Sequence, residues 1–256
     1  MPAEEPAGFV QSFARGLSVI RAFDAEHPRL TLSEVAARAD ITRAAAGRFL
    51  RTLEHLGYVR SSGREFALTP RVLELGFSYL SALSMPEVAQ PHLEDLARQV
   101  GESVSAAVLD GADIVYVARV PTRRIMSVGI MIGTRFPAYA TSMGRVLLAG
   151  LAPPERASIL GETDFELLTE RTVVDPAALA RQLDEVAVAG YALADGELES
   201  GVCSVAVPIR GPGGSVVAAV NISANAARIS AVRLRDEHLA QLRATASAIE
   251  VDLRGR

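Results

Sequence analysis

The sequence predicts an α+β protein in which a mainly helical N-terminal module precedes a larger domain built on an antiparallel sheet. Up to about residue 100, apolar residues recur at helical spacing. From Glu102 onward, short runs rich in β-branched residues alternate with glycine-punctuated turns. These later strands are grouped around central helices instead of alternating with them one by one, which favours antiparallel pairing. A chain of 256 residues is long enough for two modest domains.

The charge of the chain is unevenly distributed. The whole sequence carries a formal charge of −4, which taken alone argues against a nucleic-acid partner. Between Arg38 and Arg71, however, seven arginines stand against three acidic residues, a local charge of +4. From Val72 to the end, sixteen arginines and twenty-two acidic residues give −6. A basic module joined to an acidic body is the distribution expected of a DNA-binding protein whose second domain has another function.

Cysteine content and hydropathy indicate a cytoplasmic protein. Cys203 is the only cysteine, which excludes an internal disulfide framework and suits a reducing compartment. The first ten residues lack the basic and apolar regions of a signal peptide, and no run approaches eighteen apolar residues. We therefore expect no membrane partner and interpret residues 1–10 as a flexible tail.

The region from Thr31 to Leu56 has the pattern of two helices joined by a turn, with one more helix before it. That first helix is expected from Ser12 to just before Pro28, with an apolar face of Phe13, Leu17, Ile20 and Phe23. The second helix follows Thr31 and carries Leu32, Val35, Ala36 and Ala39 at helical spacing. Thr42 can cap the third helix and Gly57 can end it. The apolar face of the third helix would comprise Ala45, Phe49, Leu50, Leu53 and Leu56.

The outer face of the third helix is suited to DNA. It carries three arginines, and the small residues 44–47 keep its first turns slim, so that it can enter a major groove about 12 Å wide. A strand over 58–60, a turn over 61–63 and a strand over 64–66 follow as a basic hairpin. This is the pattern of a winged helix-turn-helix. The predicted DNA-binding residues are Thr42, Arg43, Ala44, Ala45, Arg48, Arg51, Arg60, Ser62 and Arg64. The alternative is an ordinary three-helix substructure whose arginines are only solvated.

The domain boundaries follow from these elements. We predict a DNA-binding domain over 11–69, a linker helix over 70–86 and a second domain over 87–256. The second domain begins with a helix that ends at Gly101, with Pro91 expected to bend it. Strands are then predicted at 103–110, 113–120, 125–130, 191–197, 203–210 and 215–224. Helices are predicted after 142, after Pro153, over 175–190 and from about Ser230 to Leu253.

The stretch PAYATSMGR (137–145) can form an anion-binding helix start. Thr141 or Ser142 can cap the helix, and the backbone N–H groups of Ser142, Met143 and Gly144 would then point into the preceding loop with the positive end of the helix dipole. Such an end is a natural seat for a carboxylate. The alternative is a plain cap without a ligand.

Small polar residues mark two of the later strands. Asn221 and Ser223 are two residues apart, so they lie on one face of an otherwise apolar strand, while Ser204 lies on the strand before it. Such side chains either satisfy one another or line a pocket. Asp195, Glu197 and Glu199 alternate along the preceding segment, and with no histidine nearby they are expected to form a polar edge or pocket rim instead of a metal site.

No pattern in the sequence indicates catalysis. Cys203 has no local partner, and no Lys-Ser/Thr follows the turn GPGGS (211–215), which excludes a phosphate loop. Ser-His-Asp, zinc and dinucleotide signatures are also absent from the sequence. We therefore expect neither an enzyme nor a cofactor.

Four segments together resemble the IclR family of bacterial transcription regulators: ARGLSVIRAF, LSEVAARADITRAAAGRFLRTLEHLGYV, ATSMGRVLLA and DGELESGVCSVAVPI. The resemblance extends from about Gln11 to Leu253. The segment RIMSVGIMIGTRFPAYATSMGRVLLAG is similar to the subgroup that controls aromatic-acid catabolism through the β-ketoadipate pathway. The resemblance implies a winged-helix domain, a linker helix and a GAF-like effector domain. It further implies a homodimer or homotetramer on double-stranded operator DNA, a small organic acid effector and a possible contact with RNA polymerase.

The resemblance also implies which residues bind the effector: Ile125, Val128, Phe136, Ser142, Met143, Asp195, Val202, Ser204, Asn221 and Ser223. Some family members have Cys at the Ser204 position and Ser at the Asn221 position, so the identity of the effector stays open. Four arginines near the same loop could attract a carboxylate or be merely solvated: Arg119, Arg123, Arg124 and Arg135. The alternatives are a regulator of another small carboxylate such as glyoxylate or pyruvate, a sensor without DNA output, and an enzyme fused to a DNA-binding domain.

Overall fold

The computed structural model describes residues 8–75, 84–122 and 130–254 of the chain. The chain divides into two compact units, Met1–Ala82 and Leu83–Arg256. The second unit places helices on a curled antiparallel sheet, which confirms the predicted α+β class. Among the helices in these described ranges, none combines the length and the apolarity that a membrane span requires.

The N-terminal unit consists of three helices and a small antiparallel sheet. Its helices are α1 (Gln11–Arg21), α2 (Leu32–Arg38) and α3 (Arg43–His55), and its strands are β1 (Leu30–Thr31), β2 (Val59–Ser62) and β3 (Glu65–Leu68), in the order β1-β3-β2. The two-residue β1 is too short to produce a sequence pattern and was not predicted. The hairpin turn was predicted at 61–63, but Ser61 and Ser62 belong to β2 because they pair with Phe66 and Glu65. The turn lies at Gly63, whose φ is +65°.

Caps determine where α2 and α3 begin. The Thr31 hydroxyl accepts a hydrogen bond from the amide of Glu34, and the Glu34 carboxylate accepts one from the amide of Thr31 at 2.7 Å. This reciprocal arrangement is a capping box. At α3, the predicted cap is present, because the Thr42 hydroxyl accepts from the amide of Ala45 at 3.2 Å. Between the two helices, Asp40 adopts a φ of +50°, which turns the chain.

The apolar face of α1 differs from the prediction. Phe13 and Leu17 are 68% and 43% exposed, and Val19, which was not predicted, is buried in the core. Phe23 is buried as predicted, although it lies just beyond the end of α1. The inner face includes Gly16, which lies beside the Phe49 ring of α3. A glycine contact of this kind leaves no apolar signal in the sequence. Leu56, assigned to the apolar face of α3, is also outside the core at 47% exposure, because it lies beyond the last turn of that helix.

The second unit contains a six-stranded antiparallel sheet in the order β6-β5-β4-β9-β8-β7. Its helices are α4 (Ser84–Val100), α5 (Ser142–Ala149), α6 (Pro153–Glu162), α7 (Pro176–Ala189) and α8 (Ala231–Arg254). Its strands are β4 (Ser103–Asp110), β5 (Asp113–Val120), β6 (Arg135–Pro137), β7 (Ala192–Asp195), β8 (Val202–Arg210) and β9 (Val216–Asn225). β6 falls within a predicted loop, where only three residues pair with β5.

Two predicted segments extend outside the described residues. In the predicted linker 70–86, Pro70–Val72 forms a 3-10 turn and residues 73–75 are helical, while 76–83 lie outside the described residues. Helix α4 begins at Ser84, inside the predicted linker, and continues through Pro91 without ending. Of the predicted strand 125–130, residues 125–129 lie outside the described residues, and Ile130 is not in a strand.

The large sheet packs helices on both faces, and this arrangement positions the candidate site. One face packs on α4 and α8 through residues such as Leu93, Val220 and Leu242. The other face packs on α5 and α7. Because side chains alternate along a strand, Val220 and Ile222 of β9 face the first core, whereas Asn221 and its neighbours at odd positions face α5.

Candidate functional sites

The outer face of α3 carries uncompensated positive charge. Arg43, Arg48 and Arg51 are all exposed, Thr42 and Ala44 are exposed beside them, and Ala45 is half-buried. The arginine ion pairs found among the described residues of this unit are Arg38–Asp24 and Arg71–Glu74, neither of which lies on α3. The guanidinium groups of α3 are therefore available to pair with the phosphates of a polyanion.

The wing is anchored to α3 by one acidic residue. The Glu54 carboxylate accepts hydrogen bonds from both the amide and the hydroxyl of Ser61, at 3.1 Å and 2.5 Å. Arg60 and Ser62 alternate with Ser61 along β2, so they lie on the sheet face opposite to this contact. Arg64 is exposed at the hairpin turn.

One further arginine lies on the wing surface that holds Arg60. Arg29 precedes β1 and, with Arg60, Ser62 and Glu65, lines a small surface depression. Sequence reasoning missed Arg29 because it is distant from β2 along the chain, and the two-residue strand that brings it there gave no signal. The outer face of the wing therefore holds two arginines instead of one.

The second unit contains a cavity of about 350 Å³ between α5 and the large sheet. Its walls include two aromatic and four aliphatic side chains, Tyr116, Phe136, Ile130, Leu168, Leu198 and Val202. Its polar lining comprises Thr141, Ser142, Glu197, Glu199, Ser204, Asn221 and Ser223. Burial raises the pKa of Tyr116 to about 12, so its phenol adds no charge at neutral pH. Apolar walls, a few converging polar groups and a volume within about 300–1,000 Å³ are typical of a small-molecule site.

Strand register brings the polar residues of the cavity together. Ser204 of β8 pairs directly with Ser223 of β9, and Asn221 lies one inward-facing position further along β9. The Ser142 hydroxyl at the start of α5 lies 2.8 Å from the Ser204 hydroxyl. Six residues predicted to bind the effector thus share this cavity: Phe136, Ser142, Val202, Ser204, Asn221 and Ser223.

Asn221 leaves a polar atom without a partner at this cavity. The side chain is only 4% exposed, and its Oδ1 has no hydrogen-bond partner among the described residues. Buried polar groups in proteins are nearly always satisfied by protein, water or ligand. Asn221 therefore offers an unused acceptor to an occupant of the cavity.

The start of α5 differs in part from the prediction. The Gly144 amide donates to the Thr141 hydroxyl at 3.0 Å, so it is already used by the cap. Neither Gly144 nor Met143 lines the cavity: the Met143 side chain is 1% exposed in the core, and Gly144 packs tightly against Ala138. The backbone N–H groups of Ser142 and Met143 lie in the first turn of α5, where a helix offers them no carbonyl acceptor.

Asp195 was predicted to line the pocket and does not. Because neighbouring residues of β7 face opposite sides, Ala194 lines the cavity and Asp195 points away from it. The Asp195 carboxylate instead forms an exposed ion pair with Arg171 at 2.6 Å. Ile125 and Val128 lie outside the described residues, as do Arg123 and Arg124.

The other two arginines named from the sequence do not line the cavity. Arg135 forms ion pairs with Asp110 at 2.5 Å and Asp113 at 3.2 Å, and these pairs raise its pKa. Arg119 donates to the Ser105 hydroxyl at 3.1 Å, and its Nε has no partner among the described residues. Burial lowers the pKa of Arg119.

A buried ion pair beside the cavity was not predicted. Arg145 of α5 is 4% exposed, and two of its nitrogens donate to the two carboxylate oxygens of Glu197. Glu197 lines the cavity, whereas Arg145 does not. Arginine is almost never fully buried unless it is paired. Since its partner lies 52 positions away, sequence spacing could not indicate the pair.

The described residues show no group of three or more His, Cys, Asp and Glu side chains arranged to hold a metal ion. Cys203 is fully buried, and its thiol donates to the Ile229 carbonyl at 3.2 Å. Burial raises the pKa of this thiol to about 11. Such a thiol is a poor nucleophile at neutral pH because little of it is ionised.

Comparison with known proteins identifies the family. The model of the IclR helix-turn-helix domain matches residues 12–63, and that of the C-terminal part of the bacterial transcriptional regulator IclR matches residues 77–251. The Pca regulon regulatory protein of Pseudomonas putida is 42% identical over 232 residues, which cover 90% of this chain and 80% of that protein.

Two solved structures agree with this result. A transcriptional regulator from Rhodococcus sp. RHA1 is 58% identical, with a TM-score of 0.87, covering 96% of this chain and 99% of that one. An IclR homolog from Microbacterium hydrocarbonoxydans, solved as a complex with 4-hydroxybenzoate, is 30% identical, with a TM-score of 0.85, covering 96% of this chain and 100% of that one. The chain therefore belongs to the IclR family of bacterial transcriptional regulators.

Proposed function

We propose that the protein is a DNA-binding regulator whose binding to its operator is controlled by a small aromatic carboxylic acid. The observation that carries this proposal is the cavity, in which aromatic and aliphatic walls enclose a polar end formed by Ser142, Ser204 and Asn221. A ring fits the apolar walls, and a carboxylate fits the hydroxyls and first-turn amides at the start of α5. The related structure that holds 4-hydroxybenzoate supports the same chemical class.

The DNA-binding part of the proposal rests on α3 and the wing. Uncompensated arginines at 43, 48 and 51 on one exposed helix face can reach base edges and phosphates in a major groove. We propose that Thr42, Ala44 and Ala45, which have small side chains, let the same face of α3 approach the DNA closely. Arg60, Ser62 and Arg64 would contact the adjacent backbone from the wing.

We further propose that the protein binds its operator as a homodimer or homotetramer. Phe13 and Leu17 are exposed four residues apart on α1, and Phe9 and Val10 are exposed just before it, so the four side chains expose apolar surface near the start of the helix. Exposed apolar side chains on an otherwise polar helix are suited to burial against a second copy of this chain. The segment 70–86 joins the two units and would transmit effector binding to the DNA-binding domain, either as release of the operator or as a changed contact with RNA polymerase.

A ligand can change operator affinity only if it binds two arrangements of the protein differently. The test is therefore a pair of measurements on the full chain. Calorimetric titration with 4-hydroxybenzoate, protocatechuate, muconate, β-ketoadipate, glyoxylate and pyruvate is expected to show the tightest binding for an aromatic acid. Operator affinity, measured with and without that acid on a duplex selected by the protein from a random pool, is expected to change. Preference for glyoxylate or pyruvate would contradict the aromatic class, and operator affinity insensitive to every bound acid would contradict effector control.

We propose no catalytic activity, and we infer a cytoplasmic location from the DNA partner and the single buried thiol. Incubation of the bound acid with the purified protein is expected to return it unchanged, as chromatography would show. Turnover that is lost in a Cys203→Ser variant would instead establish an enzyme joined to a DNA-binding domain.

A further inference from the structure

The cavity proposed to hold a carboxylate is itself lined by the side chains of two glutamates, Glu197 and Glu199, and Glu197 is the more deeply buried. Glu197 is 8% exposed, and its side chain forms part of the cavity wall. Two like charges in a partly desolvated site repel, and at a separation of several ångströms the repulsion is strong enough to weaken binding about tenfold or more. An anionic ligand can therefore bind well only if the charge of Glu197 is compensated.

Arg145 supplies this compensation from behind the wall. Its Nη1 donates to one Glu197 oxygen at 2.7 Å, and its Nη2 donates to the other, so the pair is bidentate. Two further donors reach the backbone: Nε donates to the Tyr139 carbonyl at 3.0 Å, and Nη1 also donates to the Leu193 carbonyl at 3.4 Å. Arg145 does not itself line the cavity, so it acts through Glu197 and not by contact with a ligand.

The main chain of Glu197 is held independently of its side chain. Its carbonyl accepts a hydrogen bond from the buried Thr172 hydroxyl at 2.7 Å. A neutral glutamine at 197 can keep this backbone contact and one bond to Arg145. The charge of the wall can therefore be changed with little change in its shape.

We propose that Arg145 is a positioning residue that cancels the charge of Glu197 and so makes the cavity competent for anionic effectors. This inference rests on the proposed function, because it concerns the charge of the ligand in the same cavity. The Arg145–Glu197 pair would thus select between anionic and neutral ligands, in addition to packing α5 against the loop after β7.

The test compares two probes of nearly the same shape, 4-hydroxybenzoate and the neutral 4-hydroxybenzamide, by calorimetric titration of the full chain. In Glu197→Gln, the charge of Arg145 is uncompensated, so the ratio of carboxylate to amide affinity is expected to rise about tenfold. In the double variant Arg145→Met with Glu197→Gln, positions 145 and 197 together carry no net charge, as in the native chain, and Glu199 is unchanged throughout. The ratio of the double variant is expected to return to within about twofold of the native ratio, whatever the loss in affinity for each probe.

The matched control is Asp184→Asn, which neutralises the acidic partner of Arg156 in another 2.7 Å ion pair that is not part of the cavity. Its ratio is expected to equal the native ratio. An equal ratio in the native chain and in Glu197→Gln would overturn the inference, even if both probes bind more weakly, because it would reduce the pair to a structural role. A ratio that stays raised in the double variant would also overturn it. If the native chain binds neither probe, the proposed effector class fails, and the inference fails with it.

Discussion

The hydroxyl oxygens of Ser142 and Ser204 lie 2.8 Å apart, although the residues are 62 positions apart in the chain. This contact joins the first turn of α5 directly to β8 at the cavity. Because one of the two hydroxyls donates to the other, a ligand carboxylate at the helix N-terminus would meet the one hydroxyl proton that this contact leaves free, as well as the helix dipole. The relationship gathers part of the polar lining of the cavity at the N-terminus of α5.

Replacing Ser142 with leucine should fill the polar end of the cavity. The larger side chain occupies ligand volume and removes a hydroxyl donor, so effector affinity is expected to fall at least tenfold, about 1.4 kcal/mol. Asn221→Leu removes the unpartnered acceptor and should weaken the binding of hydroxylated acids in the same titration. Ser158→Leu, on the exposed surface of α6, is the control and should bind normally. An undiminished effector response in both cavity variants would place the site elsewhere.

Replacing Arg48 or Arg43 with alanine should weaken operator binding without affecting the effector. Each base contact contributes roughly 1–3 kcal/mol of discrimination, and each lost phosphate contact lowers the salt dependence of binding by about one unit of slope. Fluorescence anisotropy on a selected duplex at several salt concentrations measures both quantities. Arg181→Ala, exposed on α7 in the other unit, is the matched control. Native operator affinity in both variants of α3 would contradict its assignment as the reading helix.

Two glycine substitutions should change stability in opposite directions. A Cβ at Gly144 would overlap the Ala138 carbonyl, so Gly144→Ala is expected to lower the free energy of unfolding by about 1–3 kcal/mol. Gly161 lies in α6 with no neighbouring atom in the way, so Gly161→Ala should raise stability by about 0.4–1 kcal/mol. Chemical denaturation measures both. Equal effects of the two substitutions would show that α5 does not depend on its close approach to Ala138.

The Cys203 thiol should resist alkylation in the native protein. Because burial raises its pKa to about 11, the thiol remains protonated at neutral pH, and reagents such as iodoacetamide react with the thiolate. Mass spectrometry is expected to show modification only after denaturant is added. Rapid labelling of the native chain at pH 7 would mean that the thiol is accessible and ionised, and would reopen a catalytic role for it.

Local patterns predicted most elements of the fold. The caps at Thr42 and the helix end before Gly57 depend on neighbouring residues, so they could be read from the sequence, as could the hairpin of β4 and β5. Elements formed by distant pairing could not. β1 and β6 contain two and three residues and exist only because β3 and β5 lie beside them.

In the candidate cavity, too, features set by neighbouring residues were predictable and features set by strand register were not. The polar face of β9 was predictable, since Asn221 and Ser223 are two apart on one strand. The error at Asp195 arose because a shift of one residue moves a side chain to the other face of a strand, and only the register shows that Ala194 faces inward.

By itself, the sequence determined the α+β class, the helix-turn-helix with its basic face, and the polar residues of the later strands. Periodicity, caps and charge clustering are properties of neighbouring residues, so they are visible without a structure. Tertiary structure alone decided that Ser142 meets Ser204 and that Arg145 neutralises Glu197. The physical reason is that such contacts depend on strand register and helix packing across more than fifty residues, which no local pattern encodes.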